Sequence, residues 1–137
     1  MKSKFKAMVL SCMDPRFQHL VHNHLKKKKL TGKYSAFTIA GAAVGITHNK
    51  FKKWHNTFYD NLATSIELHK IEKLIVINHK DCGAAKIANG KKEFTLANEK
   101  KIHQDSFNKL KKEIKKRFPK LKVELNVIAL DSKITKF

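Results

Sequence analysis

The sequence predicts an α/β domain in which a mostly parallel central sheet of about four strands is flanked by helices. Short apolar runs of strand length alternate with segments whose apolar residues recur at helical spacing. The strongest strand pattern, residues 73–78, has four consecutive apolar positions, which is typical of a parallel strand covered on both faces. No internal repeat divides the 137 residues, so we expect a single domain over residues 1–137.

In the first half of the chain, the apolar residues 5–11 predict a strand. Pro15 prevents that strand from continuing, and a helix is expected over residues 17–29, where four lysines suit its C-terminus. Aromatic and β-branched residues predict a second strand over residues 34–40. The small residues 41–49 are expected to form a loop.

In the second half, an amphipathic helix is expected over residues 53–70. A short helix ending at Ala88 should follow the strand over residues 73–78, and residues 122–130 should form the last strand. Between them, Thr95 can cap a long helix that Pro119 ends. The predicted core face of this helix consists of Leu96, Phe107, Leu110, Ile114 and Phe118.

The chain is strongly basic. It carries 30 basic and 11 acidic residues, a formal net charge of +19, and all but two of the basic residues are lysines. This excess is compatible with non-specific, salt-sensitive binding to nucleic acid, but two arginines offer little for reading bases. No apolar run approaches the roughly 18 residues that a membrane span needs, and no signal-peptide core is present, so we expect a cytoplasmic protein without a membrane partner.

Cys12 and Cys82 are the two cysteines of the sequence. In a cytoplasmic chain, two distant cysteines are more often reduced, metal-binding or catalytic than joined in a disulfide. The alternative is that both are buried apolar thiols. Their neighbours in the sequence distinguish these interpretations.

Chemically reactive side chains follow two of the predicted strands. Cys12, Asp14 and Arg16 come directly after the first strand, and His79 and Cys82 follow the strand over residues 73–78. Ligands of open parallel sheets bind at the carboxyl ends of the strands, so these side chains would converge if the two strands are neighbours. Two thiolates and an imidazole are a donor set that zinc prefers, with a fourth position left for water or a carboxylate.

The same segments resemble the β-class carbonic anhydrases. CMDPRF is similar to the C-x-D-x-R motif of that family, and HKDCGA is similar to its H-x-x-C-G motif. Between them, TIAGAAVG resembles the Ala-Gly loop of the family. The resemblance covers about residues 6–88 and implies a β-carbonic-anhydrase-like fold.

The resemblance also implies roles for individual residues. Cys12, His79 and Cys82 match the three zinc ligands of the family. Asp14 matches the carboxylate that accepts a hydrogen bond from zinc-bound water, or that takes the fourth zinc position in a closed, inactive site. Arg16 matches the guanidinium partner of that carboxylate, for which the rigid fork of arginine is better suited than lysine.

The activity implied is the reversible hydration of CO₂ to bicarbonate by a zinc-bound hydroxide, in a homodimer or larger homo-oligomer. Gly41 and Gly83 match loops near the substrate pocket, where small residues permit close backbone approach. Thr38 and Ile39 depart from the Arg-Asn pair of typical relatives, which affects contacts of the second strand. Two alternatives remain: the same site acting on COS or CS₂, and a non-catalytic, zinc-stabilised basic module that binds polyanions.

The remaining histidines are weaker candidates. His19 and His22 share one face of the first helix without a carboxylate, and we expect them to be solvated. His48, His55 and His103 are candidates for shuttling protons between the metal site and buffer.

Overall fold

The computed structural model describes residues 5–137. In chain order, their helices and strands are β1 (Ala7–Ser11), α1 (Gln18–Lys27), β2 (Tyr34–Thr38), α2 (Ala43–Thr47), α3 (Lys52–His69), β3 (Lys73–His79), α4 (Gly83–Ala88), α5 (Leu96–Arg117), β4 (Lys122–Ile128) and β5 (Ile134–Lys136). Within these residues the strands form one sheet in the order β2-β1-β3-β4-β5. The first four are parallel, and β5 runs antiparallel to β4. This architecture confirms the predicted fold class.

Both faces of the sheet are covered, which explains the continuous apolar pattern of β3. Leu74 and Val76 belong to the larger core, together with residues of α2, α3 and α5. Ile75 and Ile77 point to the opposite face and pack with α1. The fully buried helix residues on the larger side include Phe58, Leu62, Phe107, Leu110 and Ile114.

The sheet has five strands in the described residues, whereas the sequence pattern predicted about four. The additional strand, β5, is three residues long and pairs Ile134 with Ile128 of β4. Two of its three residues are exposed, so the segment lacks the alternation of apolar and polar residues that would predict a strand. It forms because the chain turns back at residues 129–133 and lies against the edge of β4.

The predicted loop over residues 41–49 is wrong in its middle, where the chain forms α2. The N-terminus of α2 is held by Asn78, whose side-chain oxygen accepts a hydrogen bond from the backbone N–H of Ala43 at 3.0 Å. The small residues that suggested a loop are buried against the sheet. Their size therefore serves close packing rather than flexibility.

The long helix α5 begins as predicted, since the Thr95 hydroxyl accepts a hydrogen bond from the N–H of Asn98 at 3.1 Å. Leu96, however, was expected in the core and is 82% exposed. The first turn of α5 extends beyond the packed layer, and the buried face of the helix begins near Ile102 and His103. Among residues 5–137, no helix combines the length and the apolar character that crossing a membrane requires.

The pairing of β1 with β3 determines where the reactive side chains lie. The two strands are neighbours, with Ser11 opposite Ile77. Both strands end at the same edge of the sheet because they are parallel. The residues that follow β1 therefore meet His79 and the turn that leads to Cys82.

At the amino ends of the strands, opposite the metal-ligand candidates, Glu124 accepts hydrogen bonds from Lys73 at 2.9 Å and Lys28 at 3.2 Å. Burial raises the pKa of Glu124, but the hydrogen bonds and the charges of the two lysines together outweigh burial and leave its pKa below that of a free glutamate. A carboxylate with a lowered pKa in the folded state stabilises the protein above its unfolded pKa. That contribution is lost as the pH falls through the pKa of the folded state.

We therefore expect Glu124→Gln to lower the free energy of unfolding at about pH 7, with a smaller deficit at about pH 3. Urea unfolding of both proteins at the two pH values measures this difference. Glu67→Gln, on the exposed side of α3, is the matched control and should show little change at either pH. An equal deficit for Glu124→Gln at both pH values would contradict the assignment.

Candidate metal centre

The two cysteines and one histidine meet at the carboxyl ends of β1 and β3. The ligand atoms of Cys12, His79 and Cys82 all lie within 4.8 Å of one another. The three residues are 6%, 2% and 3% exposed, so the cluster is shielded from solvent. In the described part of the chain, these three residues are the one group of potential metal ligands that lie this close together.

The imidazole of His79 is held in one orientation. Its Nδ1 donates a hydrogen bond to the carbonyl of Lys80 at 2.7 Å, and its ring stacks on Phe17 with centroids 4.1 Å apart. Because Nδ1 carries the proton, Nε2 presents a lone pair towards the two sulfur atoms. This Nε2 is buried and has no hydrogen-bond partner among residues 5–137.

The two thiols are coupled to each other and to the backbone. The Cys82 thiol lowers the pKa of Cys12, and the adjacent imidazole of His79 and the backbone N–H groups of Asp14 and Gly41 lower it further against the effect of burial. The same pairing, together with burial, raises the pKa of Cys82. The Gly41 N–H lies 3.3 Å from Cys12 Sγ, and it reaches this position with a φ of +82°, which favours glycine.

This arrangement fits a metal ion. Donor atoms of a tetrahedral zinc site lie about 3.3–3.8 Å apart, so a small contraction of the cluster would complete the geometry. A metal would also satisfy the buried Nε2 of His79 and neutralise two thiolates in a buried site. Two sulfurs and one imidazole suit a soft divalent ion such as zinc.

A carboxylate lies at the edge of the cluster. Asp14 Oδ2 is 3.7 Å from Nε2 of His79, too far for a hydrogen bond but close to where a fourth ligand would lie. The side chain of Arg16 donates to both oxygens, from Nη2 to Oδ2 at 2.7 Å and from Nε to Oδ1 at 3.1 Å. These hydrogen bonds hold the pKa of Asp14 below its usual range.

Arg16 is itself anchored to the other ligand-bearing segment. It donates from Nη1 to the carboxylate of Asp81 at 3.2 Å and from Nη2 to the Asp81 carbonyl at 3.1 Å. Asp81 also contacts Lys86, and its backbone N–H donates to Glu99 at 2.8 Å. One guanidinium therefore joins the segment after β1 to the segment after β3.

Asp81 and Asn78 contribute to the site, although neither was among the site residues predicted from the sequence. Asp81 lies between His79 and Cys82 in HKDCG. Its negative charge beside two ligand candidates was a sequence signal for a partner of the basic Arg16. Asn78 carries no such signal, because its bonds to α2 and α5 depend on tertiary packing.

The two glycines selected from the sequence occupy different surroundings. Gly41 lies against the cluster, where a Cβ would be 3.0 Å from the N atom of Gly45. Gly83 begins α4 directly after Cys82, and a Cβ there would meet no described atom within 4 Å. The structure also places the other residues predicted from the sequence. Asp14 and Arg16 lie beside the three ligand candidates. His19 and His22 lie on α1 and are exposed.

A parallel sheet with a Cys-His-Cys cluster at the carboxyl ends of its central strands defines a protein of the β-carbonic anhydrase fold. Solved structures agree with this class. The chain superposes on the β-carbonic anhydrase CafA of Aspergillus fumigatus with a TM-score of 0.63, at 10% identity, over 98% of this chain and 76% of that one. A tetrameric β-carbonic anhydrase of Sordaria macrospora gives a TM-score of 0.59 at 9% identity, over 99% of this chain and 82% of that one.

The sequence also matches a protein family directly. The family described as "Putative carbonic anhydrase" matches residues 1–130, and the chain belongs to this family. An uncharacterized protein of Rickettsia conorii is 30% identical over 125 residues, which are 90% of this chain and 67% of that protein. An uncharacterized protein of Rickettsia bellii is 29% identical over 128 residues, which are 93% of this chain and 78% of that protein.

Proposed function

We propose that this protein is a zinc-dependent carbonic anhydrase that interconverts CO₂ and bicarbonate. Cys12, His79 and Cys82 are the proposed zinc ligands, and zinc is the proposed metal. The observation that carries the proposal is the buried Cys-His-Cys cluster, in which Nε2 of His79 has no hydrogen-bond partner among the described residues. The family match and the fold support the same activity.

A zinc ion held by these residues would supply Lewis acidity, which lowers the pKa of a bound water to about 7. The chain's own contribution is to position the reacting water. Asp14 Oδ2 lies 3.7 Å from the ligand atom of His79, where it can accept a hydrogen bond from a water beside the cluster. Accepting that bond directs an oxygen lone pair of the water towards CO₂.

Arg16 has the role of keeping Asp14 available to the water. Its side-chain hydrogen bonds to the carboxylate compete with direct binding of Asp14 to a metal. Because Asp81 fixes the other side of the guanidinium, Arg16 cannot follow Asp14 towards the cluster without losing a second pair of contacts. The rigid fork of arginine makes both sets of contacts at once, which lysine cannot do.

The surroundings of the site are part of the proposal. Gly41 and Gly83 flank the ligand residues, and we assign them to the walls that CO₂ approaches. A solved protein of similar fold is tetrameric, and on that basis we propose a homodimer or larger homo-oligomer. Both cysteines are free in this structure and serve the site only as thiolates, which favours action in the reducing cytoplasm.

The proposal is tested on protein purified without added metal and with thiols kept reduced. We expect about one zinc ion per chain by elemental analysis, and CO₂ hydration in a stopped-flow assay whose rate increases with pH. Bound zinc without CO₂ hydration would instead indicate a zinc-stabilised module. Absence of zinc would contradict the metal centre itself.

Asp14→Ala is expected to lower the CO₂ hydration rate about a hundredfold while zinc remains bound, because the water loses its orienting acceptor. Stopped-flow rates and zinc content of the same preparations measure the two effects. Asp60→Ala removes an exposed carboxylate of α3 and is the matched control, with an unchanged rate. A wild-type rate in Asp14→Ala would rule out the water-orienting role.

A further inference from the structure

A cavity of about 240 Å³ lies between the N-terminal half of α5 and the edge of the sheet formed by β4 and β5. His103 of α5, Val127 of β4 and Phe137 contribute to its lining. Among the described residues that line it, none is a member of the Cys-His-Cys cluster. It is therefore a cavity separate from the metal centre.

The buried polar side chain among the lining residues is the imidazole of His103, which is 3% exposed. Asn78 fixes its hydrogen-bonding state. The Asn78 side-chain oxygen accepts from Ala43 N–H, so its Nδ2 is the group that lies 3.0 Å from His103 Nδ1 and donates to it. Burial lowers the pKa of His103 to about 4, with the charge of Lys80 acting in the same direction, so the ring is neutral.

A neutral ring whose Nδ1 accepts a hydrogen bond must carry its proton on Nε2. The geometry of the imidazole directs this N–H away from Asn78. The Nε2 is buried and has no hydrogen-bond partner within residues 5–137. His103, which lines the cavity, therefore holds a buried donor that lacks an acceptor.

The charges and the apolar walls restrict what could supply that acceptor. Lys80 and Lys100 line the cavity with exposed ammonium groups. Glu99 also lines it, but its carboxylate already accepts a hydrogen bond from the Asp81 N–H at 2.8 Å. Val127 and Phe137 provide apolar surface. Anionic acceptors with a short apolar tail match this combination, whereas cations and strongly polar molecules do not.

We propose that this cavity binds a small monocarboxylate with a short hydrocarbon tail. The carboxylate accepts the hydrogen bond of His103 Nε2–H and lies near Lys80 and Lys100, while the tail contacts Val127 and Phe137. The volume of about 240 Å³ suits an acid of four to six carbons rather than a long fatty acid.

The cavity is connected to the metal centre through three of its lining residues. The Lys80 carbonyl accepts from His79 Nδ1, and His103 is bonded to Asn78, the neighbour of His79 in the chain. Glu99 holds the backbone of Asp81, which anchors Arg16. A ligand in the cavity therefore touches the residues that orient a metal ligand and the Asp14 partner.

The test uses the full chain and n-butyrate as the probe. We expect saturable binding by NMR, with shifts of the His103 ring resonances that follow the same binding curve. Acetate should bind more weakly because it lacks the tail, and n-butylamine should not bind because its charge is reversed. Absence of saturable butyrate binding, or equal binding of acetate or butylamine, would overturn the proposal.

A variant that leaves the buried core intact provides the second measurement, because replacing His103 itself could disturb folding. Lys100→Ala removes an exposed cation at the cavity and should weaken butyrate binding about three- to fivefold. Lys101→Ala removes the neighbouring exposed lysine, which does not line the cavity, and should leave the affinity unchanged. Equal effects of the two variants would show that only the general positive charge attracts butyrate, and the proposed site would be wrong.

Discussion

Replacement of Cys82 with serine is expected to release the metal from the protein and to abolish CO₂ hydration. A serine hydroxyl stays protonated at neutral pH and is a poor ligand for a soft metal, so the site would keep only one sulfur and one imidazole. We expect the zinc content to fall below about a tenth of an ion per chain. Elemental analysis and stopped-flow assays of variant and wild type measure both losses.

The control for this experiment separates loss of the site from loss of the fold. His79→Ala should lose zinc as Cys82→Ser does, whereas His22→Ala, which removes an exposed histidine of α1, should retain it. The circular dichroism of both metal-free variants should match that of wild-type protein stripped with a chelator. Full zinc content in Cys82→Ser would show that the metal binds elsewhere.

Replacement of Gly45 with alanine is expected to destabilise the protein more than a glycine-to-alanine change at any other glycine of the chain. A Cβ at Gly45 would lie 2.0 Å from the carbonyl oxygen of Ala40, a distance that no side-chain adjustment relieves because both groups are backbone-bound. The segment from Ala40 to Gly41 would have to move, and with it the N–H that donates to Cys12 Sγ. We expect a loss of about 3 kcal/mol or more in the free energy of unfolding.

Urea unfolding of the metal-free protein measures this effect without a contribution from bound metal. Gly83→Ala is the matched control, since its Cβ meets no described atom within 4 Å and alanine is the better helix former at that position. We expect Gly83→Ala to be neutral or slightly stabilising. Similar stabilities for Gly45→Ala and the wild type would mean that α2 does not pack this closely on Ala40.

The parts of the fold that could be predicted from the sequence are those with strong local patterns. β3 carries four consecutive apolar residues, 74–77, all of them buried, and the Thr95 cap and Pro119 delimit α5. The proximity of the metal-ligand candidates could be predicted because the carboxyl ends of parallel strands lie on the same side of a sheet. The residues that converge at this edge are the ones that follow β1 and β3 in the chain.

The parts that could not be predicted depend on contacts between distant segments. α2 is five residues long, and Asn78 and the packing of Gly45 on Ala40 hold its N-terminal end in place. β5 exists only as a partner of β4. The anchoring of Arg16 by Asp81 likewise joins two loops, and a pairwise contact of this kind leaves no periodic pattern in the sequence.

The alignment of Ser11 with Ile77 would also affect the thermodynamics of the proposed metal binding. Joining two sites about 70 residues apart in an unfolded chain costs about 4 kcal/mol in conformational entropy. Hydrogen bonding between β1 and β3 has already closed this loop in the folded protein, so an incoming ion orders only a few side chains. The unfolded chain lacks this preformed site, so most of the free energy of metal binding would be added to the stability of the native state.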